Sequence, residues 1–291
     1  MVELGYQANF GHRLAVCNGG YGCALALNVL TPAQLLALNT SATQNNLPFP
    51  QFTSVTEMNP SNYNSAYNAG YVKVSGHFSH GLTFLTHLTW SKTIDDYSAL
   101  TGLDLYDVKR GLSYSDRAFR WVFAGSYNLP AGPGERFLTS GPLAYVLGGW
   151  KLAPLIEVES GQPLAPTLSN VPGAMYANCV GNPNDGPKSI SDWFNLSAFS
   201  TPAPFTRGNC GQNVIIGPGW VGVDLSIQKE FPIFGENKKL AFRMDNSNIL
   251  NHPNFGNPSS TICPPTAPCT TDLITSAYSG RNIQFGLRFL F

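Results

Sequence analysis

Six cysteines are the residues best placed to do chemistry in this chain. They fall into three local pairs, Cys17 with Cys23, Cys179 with Cys210 and Cys263 with Cys269, each in Gly-, Pro- or Asn-rich sequence. In an oxidising compartment such pairs form disulfides. Zinc is the alternative, but the spacings differ from the Cys-x2-Cys pairs that close a tetrahedral site. The five histidines, His12, His77, His80, His87 and His252, are scattered. His77 and His87 fall on the polar faces of neighbouring strands in the pattern described below, so a shared metal and a plain polar lining are both open readings. Asn182-Pro183-Asn184-Asp185-Gly186 has calcium-loop residue types without the EF-hand spacing or its terminal Glu, and an Asn/Gly turn is the simpler reading. Glu157, Glu159, Asp224 and Glu230 could supply an acid/base pair or line an aqueous channel. No nucleophile elbow, zincin helix or phosphate loop occurs. The chain is therefore expected not to be an enzyme and to need no cofactor.

Composition bounds the class. Only 12% of the 291 residues are charged while 43% are hydrophobic and 12% aromatic. That charge is about half the usual share, and the high aromatic content argues against disorder. The formal net charge is zero, which gives no reason to expect nucleic acid as a partner. No run of 18 apolar residues occurs, so no membrane-spanning helix is expected, but this does not exclude a barrel of short alternating strands. Met1 leads directly into strand-like sequence rather than a signal peptide, so an envelope protein would begin upstream.

The positioning elements are strands of period two. Residues 281–291 place Ile283, Phe285, Leu287, Phe289 and Phe291 on one face and Asn282, Gln284 and Arg288 on the other. Residues 2–10 alternate Val2, Leu4, Tyr6, Ala8 and Phe10 with Glu3, Gly5, Gln7 and Asn9. Residues 63–79 and 82–93 form the clearest hairpin, turning at His80-Gly81, with Leu82, Phe84, Leu88 and Trp90 opposed to Thr83, His87 and Thr89. Further strands are expected at 115–129, 145–162, 218–231 and 238–250, with Pro154 marking a bulge or break in pairing and residues 234–237 a turn. A short helix is expected at 31–38, capped by Thr31 with Pro32 in its first turn.

Eight strands result, and their connections alternate between short and long. All six cysteines lie in the long links, 17–62, 94–114, 163–217 and 251–280. Such two-sidedness suits an outer-membrane barrel with short periplasmic turns and long external loops. Charges recur on the polar faces at Glu3, Lys73, Arg120, Glu157, Asp224, Arg243 and Arg288, which a lumen accepts and a sandwich core does not. Trp150, Tyr127, Phe231 and Phe291 near the short turns, and Phe10 and Trp90 near the long loops, fit two aromatic girdles.

Several stretches resemble the barrel of TonB-dependent outer-membrane receptors, in particular the Oar-like type with a carboxypeptidase-regulatory-like N-terminal domain. They are Ser61-Asn62-Tyr63-Asn64-Ser65; Gly81-Leu82-Thr83-Phe84 running to Trp90-Ser91-Lys92-Thr93-Ile94-Asp95-Asp96; Gly148-Gly149-Trp150-Lys151-Leu152; Ser160-Gly161-Gln162-Pro163-Leu164; Gly217-Pro218-Gly219 with Asp224-Leu225-Ser226; and Phe242-Arg243 leading to Asn248-Ile249-Leu250-Asn251-His252-Pro253-Asn254-Phe255. Met244-Asp245-Asn246-Ser247 departs from the acidic-then-aromatic pattern usual between these last two motifs. The resemblance implies an all-β, antiparallel up-and-down transmembrane barrel segment of about eight strands, the C-terminal third of a 22-stranded barrel. Residues 1–291 would then be the barrel's C-terminal part, without signal peptide, TonB box, plug domain and early strands. Expected partners are outer-membrane lipid, the barrel-assembly machinery reading Ile283, Phe285, Leu287, Phe289 and Phe291, an unknown large ligand, and TonB only through the absent plug. Two other architectures remain open: a self-contained eight-stranded barrel of structural or adhesive role, and a soluble carbohydrate-binding β-sandwich.

Overall fold

A computed structural model describes residues 1–14, 24–58, 63–78, 81–96, 110–171, 176–233, 238–264 and 270–291. Cys17, Cys23, Cys269, His80, Ser61-Asn62 and the turn at 234–237 lie outside them.

Eight long strands dominate: β1 (Val2–Leu14), β2 (Tyr63–Phe78), β3 (Leu82–Asp95), β4 (Phe119–Asn128), β5 (Trp150–Glu159), β6 (Trp220–Pro232), β7 (Lys239–Ser247) and β8 (Asn282–Leu290). They pair in sequence order, each antiparallel to the next, as one meander. A two-residue strand at Gly111–Leu112 adds to the end of β3. The sheet is open, with β1 and β8 as its two edges. At nine to sixteen residues the strands are long enough to cross hydrocarbon when tilted.

Directly opposed residues share a face, so the register carries each side chain's face across the whole sheet. One row runs Leu4, Val72, Leu88, Trp121, Val158, Val221. Another runs Leu225, Asn246, Ile283, and a third Ile227, Met244, Phe285. On the other face the rows read Glu3, Lys73, His87, Val122, Glu157, Gly222 and Gln228, Arg243, Gly286.

The apolar face has no second layer over it. Leu4 is 73% exposed, Trp90 63%, Phe285 66% and Leu287 70%. A soluble sandwich would bury these positions, so the sandwich reading fails. Several polar groups on this face bond within the wall. Tyr6 Oη donates to Asn68 Oδ1, Trp121 Nε1 to Thr86 Oγ1 at 2.7 Å, and Thr86 Oγ1 to the Val122 carbonyl. That is how a surface in hydrocarbon treats its polar atoms, because no water is there to bond them.

The long links (15–62, 96–118, 160–219 and 248–281) leave one end of the sheet, and 79–81, 129–149 and 233–238 leave the other. Pro154 bonds no strand through its nitrogen. The β4–β5 ladder is interrupted there without a change of register, while Pro154 still opposes Leu225 of β6. Helix α1 (Pro32–Leu38) forms where expected, with a capping box between Thr31 and Gln34. The expected strand at 145–162 is corrected. It begins at Trp150, and Pro142–Leu147 is helix α2, initiated by Pro142 and stopped at Gly148. Glycine is required at 148 because a Cβ there would meet the Gly132 Cα at 2.4 Å.

A charge in the middle of the apolar face reads out its surroundings. Phe123→Arg is expected to cost about 2–4 kcal/mol and to deplete folded protein from the outer-membrane fraction. Gln284→Lys, on the polar face, is expected to leave that level unchanged; equal losses from both would contradict the assignment of faces.

Candidate functional site at the long-loop end

The buried apolar side chains of this protein lie mostly in its loops. Ala177, Phe194, Phe199, Cys210, Ile215 and Ile262 form a core, with Leu164, Leu168, Cys179, Trp193 and Val214 packed on it. Phe194 and Phe199 meet edge to face at 5.8 Å. The core joins two links, because Ile262 belongs to 248–281 and the rest to 160–219. Short pairings build the frame: Thr167–Leu168 parallel to Thr261–Ile262, Asn178–Cys179 antiparallel to Phe199–Ser200, and Pro163–Leu164 antiparallel to Ile215–Ile216.

Cys179 and Cys210 form a disulfide across 31 positions. Closing a loop of that length removes roughly 3–4 kcal/mol of chain entropy from the open state. Cys263 is also disulfide-bonded, and its expected partner Cys269 lies outside the described residues, as do Cys17 and Cys23.

Asparagines tie this cap to the strands. Asn254 exchanges two hydrogen bonds with the Val221 backbone, at 2.9 and 2.8 Å. The Asn248 backbone N–H donates to Asp224 Oδ1, and the Asn248 side chain holds His252 at both backbone groups. Gln212 donates to the Asp95 carbonyl and carboxylate, and Asn213 to the Leu112 carbonyl, so the 160–219 link reaches the end of β3, two strands beyond its own. Asp96 is buried and holds both the backbone and side-chain nitrogens of Asn64. The Ser91–Asp96 stretch is thus a strand end tied to its neighbours.

Below the cap the polar face carries paired charges. Arg120 sits between Glu157 and Glu159, with Nε 3.0 Å from Glu157 Oε1 and 2.6 Å from Glu159 Oε1, and Arg117 approaches Glu159 at 3.6 Å. Glu3 accepts from Tyr71 at 2.9 Å and from Lys73 at 3.5 Å. Where cap and polar face meet, Arg117, Glu159, Gln162, Trp220, Asn257 and Tyr278 help line a cavity of about 140 Å³. Trp220 and Tyr278 stand edge to face at 5.0 Å, giving it an aromatic wall.

The other sequence candidates are not drawn together. His77 bonds Thr83, while His87 opposes Lys73 and stacks on Tyr71 at 5.4 Å. Among the described residues no group of three His, Cys, Asp or Glu could hold a metal ion. Asn182, Asn184 and Asp185 close a turn on themselves, and Asn184 goes on to bond the backbone of Val214 and Ile216. Glu157 and Glu159 face Arg120, Glu230 pairs with Lys239, and Asp224 caps Asn248.

One pair escaped the sequence reading. Asp272 and Asp192, 80 positions apart, meet where the two links dock. There Trp193 N–H donates to the Asp272 carbonyl and Ile274 N–H to the Ile190 carbonyl. Burial first, and then the Asp192 carboxylate beside it, push the Asp272 carboxyl up to about 6. Only the fold brings these residues together, so spacing offered no signal.

The model of the outer membrane beta barrel domain matches residues 1–284. The chain belongs to that family and is a multi-pass β-barrel protein of the outer membrane, its apolar face against lipid and its polar face lumenal. No curated protein and no solved structure matches it.

The carboxyl pair predicts a pH response of the cap. Asp272 titrates higher in the docked loops than in free chain, so docking holds a proton that opening releases. Its stabilising share is full below about pH 4 and lost as pH rises through about 6. Amide exchange at Ile274 and Trp193, corrected for intrinsic rate, should therefore slow between about pH 7.5 and about pH 5. Asp272→Asn should remove that dependence, and an unchanged dependence in the variant would contradict the assignment.

Proposed function

We propose that this chain forms the wall and ligand-capturing loops of a TonB-dependent active transporter for a large substrate. The observation that carries the reading is the cap: two links with a shared core and a disulfide, standing over a charged lumenal face, with an aromatic and polar cavity between. Loops with their own core hold a fixed shape, as capture of a specific ligand requires. Strand motifs resembling the Oar-like receptors support the same reading along the length of the chain.

The edges support it too. Among the described residues β1 and β8 each present an unpaired row of backbone groups, which hydrocarbon does not tolerate. A self-contained barrel would pair β1 with β8, and the sheet places them at opposite edges. In the proposed assembly further strands of a larger barrel pair with both edges and enclose a plug that TonB pulls on. Ile283, Phe285, Leu287, Phe289 and Phe291 serve as the strand signal for the barrel-assembly machinery. The chain performs no catalysis of its own.

The reading frame upstream of residue 1 tests this. It is expected to encode earlier barrel strands, a plug domain and a TonB box. A frame without a plug would overturn the transporter reading and leave the outer-membrane barrel intact.

A further inference from the structure

The connection between β4 and β5 leaves the short-turn end, yet it is built differently from the other two there. From Phe137 to Trp150 it reads FLTSGPLAYVLGGW, without a single charge. Helix α2 within it buries only Ala144, while Leu143, Tyr145, Val146 and Leu147 are 47–63% exposed, and Phe137 and Leu138 beside it are exposed as well.

The helix is seated on the lipid-facing side of the wall. Its anchor is Lys229, which the register places among apolar residues, opposite Trp150 and Phe242. The Lys229 side chain is buried, and its ammonium donates to the Val146 carbonyl at 2.9 Å and to the Tyr145 carbonyl, the last turn of α2. The rings of Phe231, Trp150 and Tyr145 surround it at 4.6, 5.4 and 5.8 Å. Trp150 Nε1 donates to the Val146 carbonyl at 3.1 Å, and Tyr145 Oη to the Pro232 carbonyl at 2.9 Å. The Tyr145 and Val146 carbonyls at the end of the helix, the cation and both aromatic polar tips are therefore satisfied at the wall. What remains outward is apolar and continuous with the lipid-facing band. Arg136, over the Phe137 ring at 5.5 Å, adds a cation at the border of the segment.

We infer that α2 is an in-plane foot of the barrel, lying in the periplasmic-side interface of the outer membrane with phospholipid as its partner. Its apolar side chains enter the acyl–headgroup boundary, Arg136 meets phosphate, and Lys229 clamps the helix to the wall. Basic and aromatic residues flanking an uncharged apolar stretch are the chemistry by which protein surfaces seat at that depth.

The test uses the complete protein in phospholipid vesicles, with single thiols introduced at Leu143→Cys, Val146→Cys and, as a control, Glu135→Cys, each carrying a fluorophore. The described residues contain no free cysteine to compete for label. Labels at 143 and 146 should be quenched by lipids brominated near the headgroup and shielded several-fold from aqueous iodide, and the label at 135 the reverse. Iodide access at 143 and 146 equal to that at 135 would overturn the proposal by placing α2 in water. Shielding from both quenchers would overturn it by placing a protein there instead. Lys229→Met should raise iodide access at 146 with β-sheet content unchanged; an unchanged label would remove the clamp from the account.

Discussion

A backbone crossing hydrocarbon finds no water to bond its N–H and C=O groups, so each must be satisfied by a neighbouring strand. The wall of this protein follows from that constraint. Its strands pair in order from β1 to β8, and register fixes both faces, because a slip of one residue would turn the lipid-facing Leu, Phe and Trp side chains of a strand into the lumen. Pro154, which cannot donate, sits where the ladder toward β4 is already interrupted, and its other neighbour β6 is held in register on both sides of it. Among the described residues β1 and β8 are the two edges of the sheet.

The same solvent inverts the usual placement of apolar residues. Lipid replaces the core for Leu4, Trp90 or Phe285, so these need no partner side chains, while the segments that leave the membrane must bury their own. Phe194 and Ile215 are fully buried in the cap for this reason, beside a disulfide in a stretch where helix and sheet are short. The wall is held by hydrogen bonds and lipid, and the cap by an ordinary hydrophobic core. The two parts can then respond separately, and the Asp272–Asp192 contact belongs to the cap alone.

Much of this was legible in the residues. Period-two alternation located the eight strands and put Ile283, Phe285, Leu287 and Phe289 on one face, the face on which the register sets the last three opposite Met244, Phe242 and Leu240, since strand periodicity is local and repeats at every second residue. Thr31 and Pro32 announced α1 through a cap that spans four residues. The expected strand from 145 starts inside PLAYVL, residues 142–147, which is apolar throughout, and a run without alternation does not distinguish strand from helix. Lys229 breaks its strand's apolar row, and only the fold shows that carbonyls from 83 and 84 positions away absorb its charge. The cap was opaque for the same reason. Its pairings join residues such as Thr167 and Thr261, and no local pattern encodes an encounter at that distance.

The central claim is that one face of this sheet meets lipid and the other meets water. A nitroxide scan along β6, from Gly222 to Gln228 in the complete protein in bilayers, tests it most directly. The account predicts a strict alternation, with Val223, Leu225 and Ile227 accessible to oxygen in the acyl region and Gly222, Asp224, Ser226 and Gln228 accessible to a water-soluble nickel chelate. Odd positions shielded from both reagents, as under a second protein layer, would contradict it.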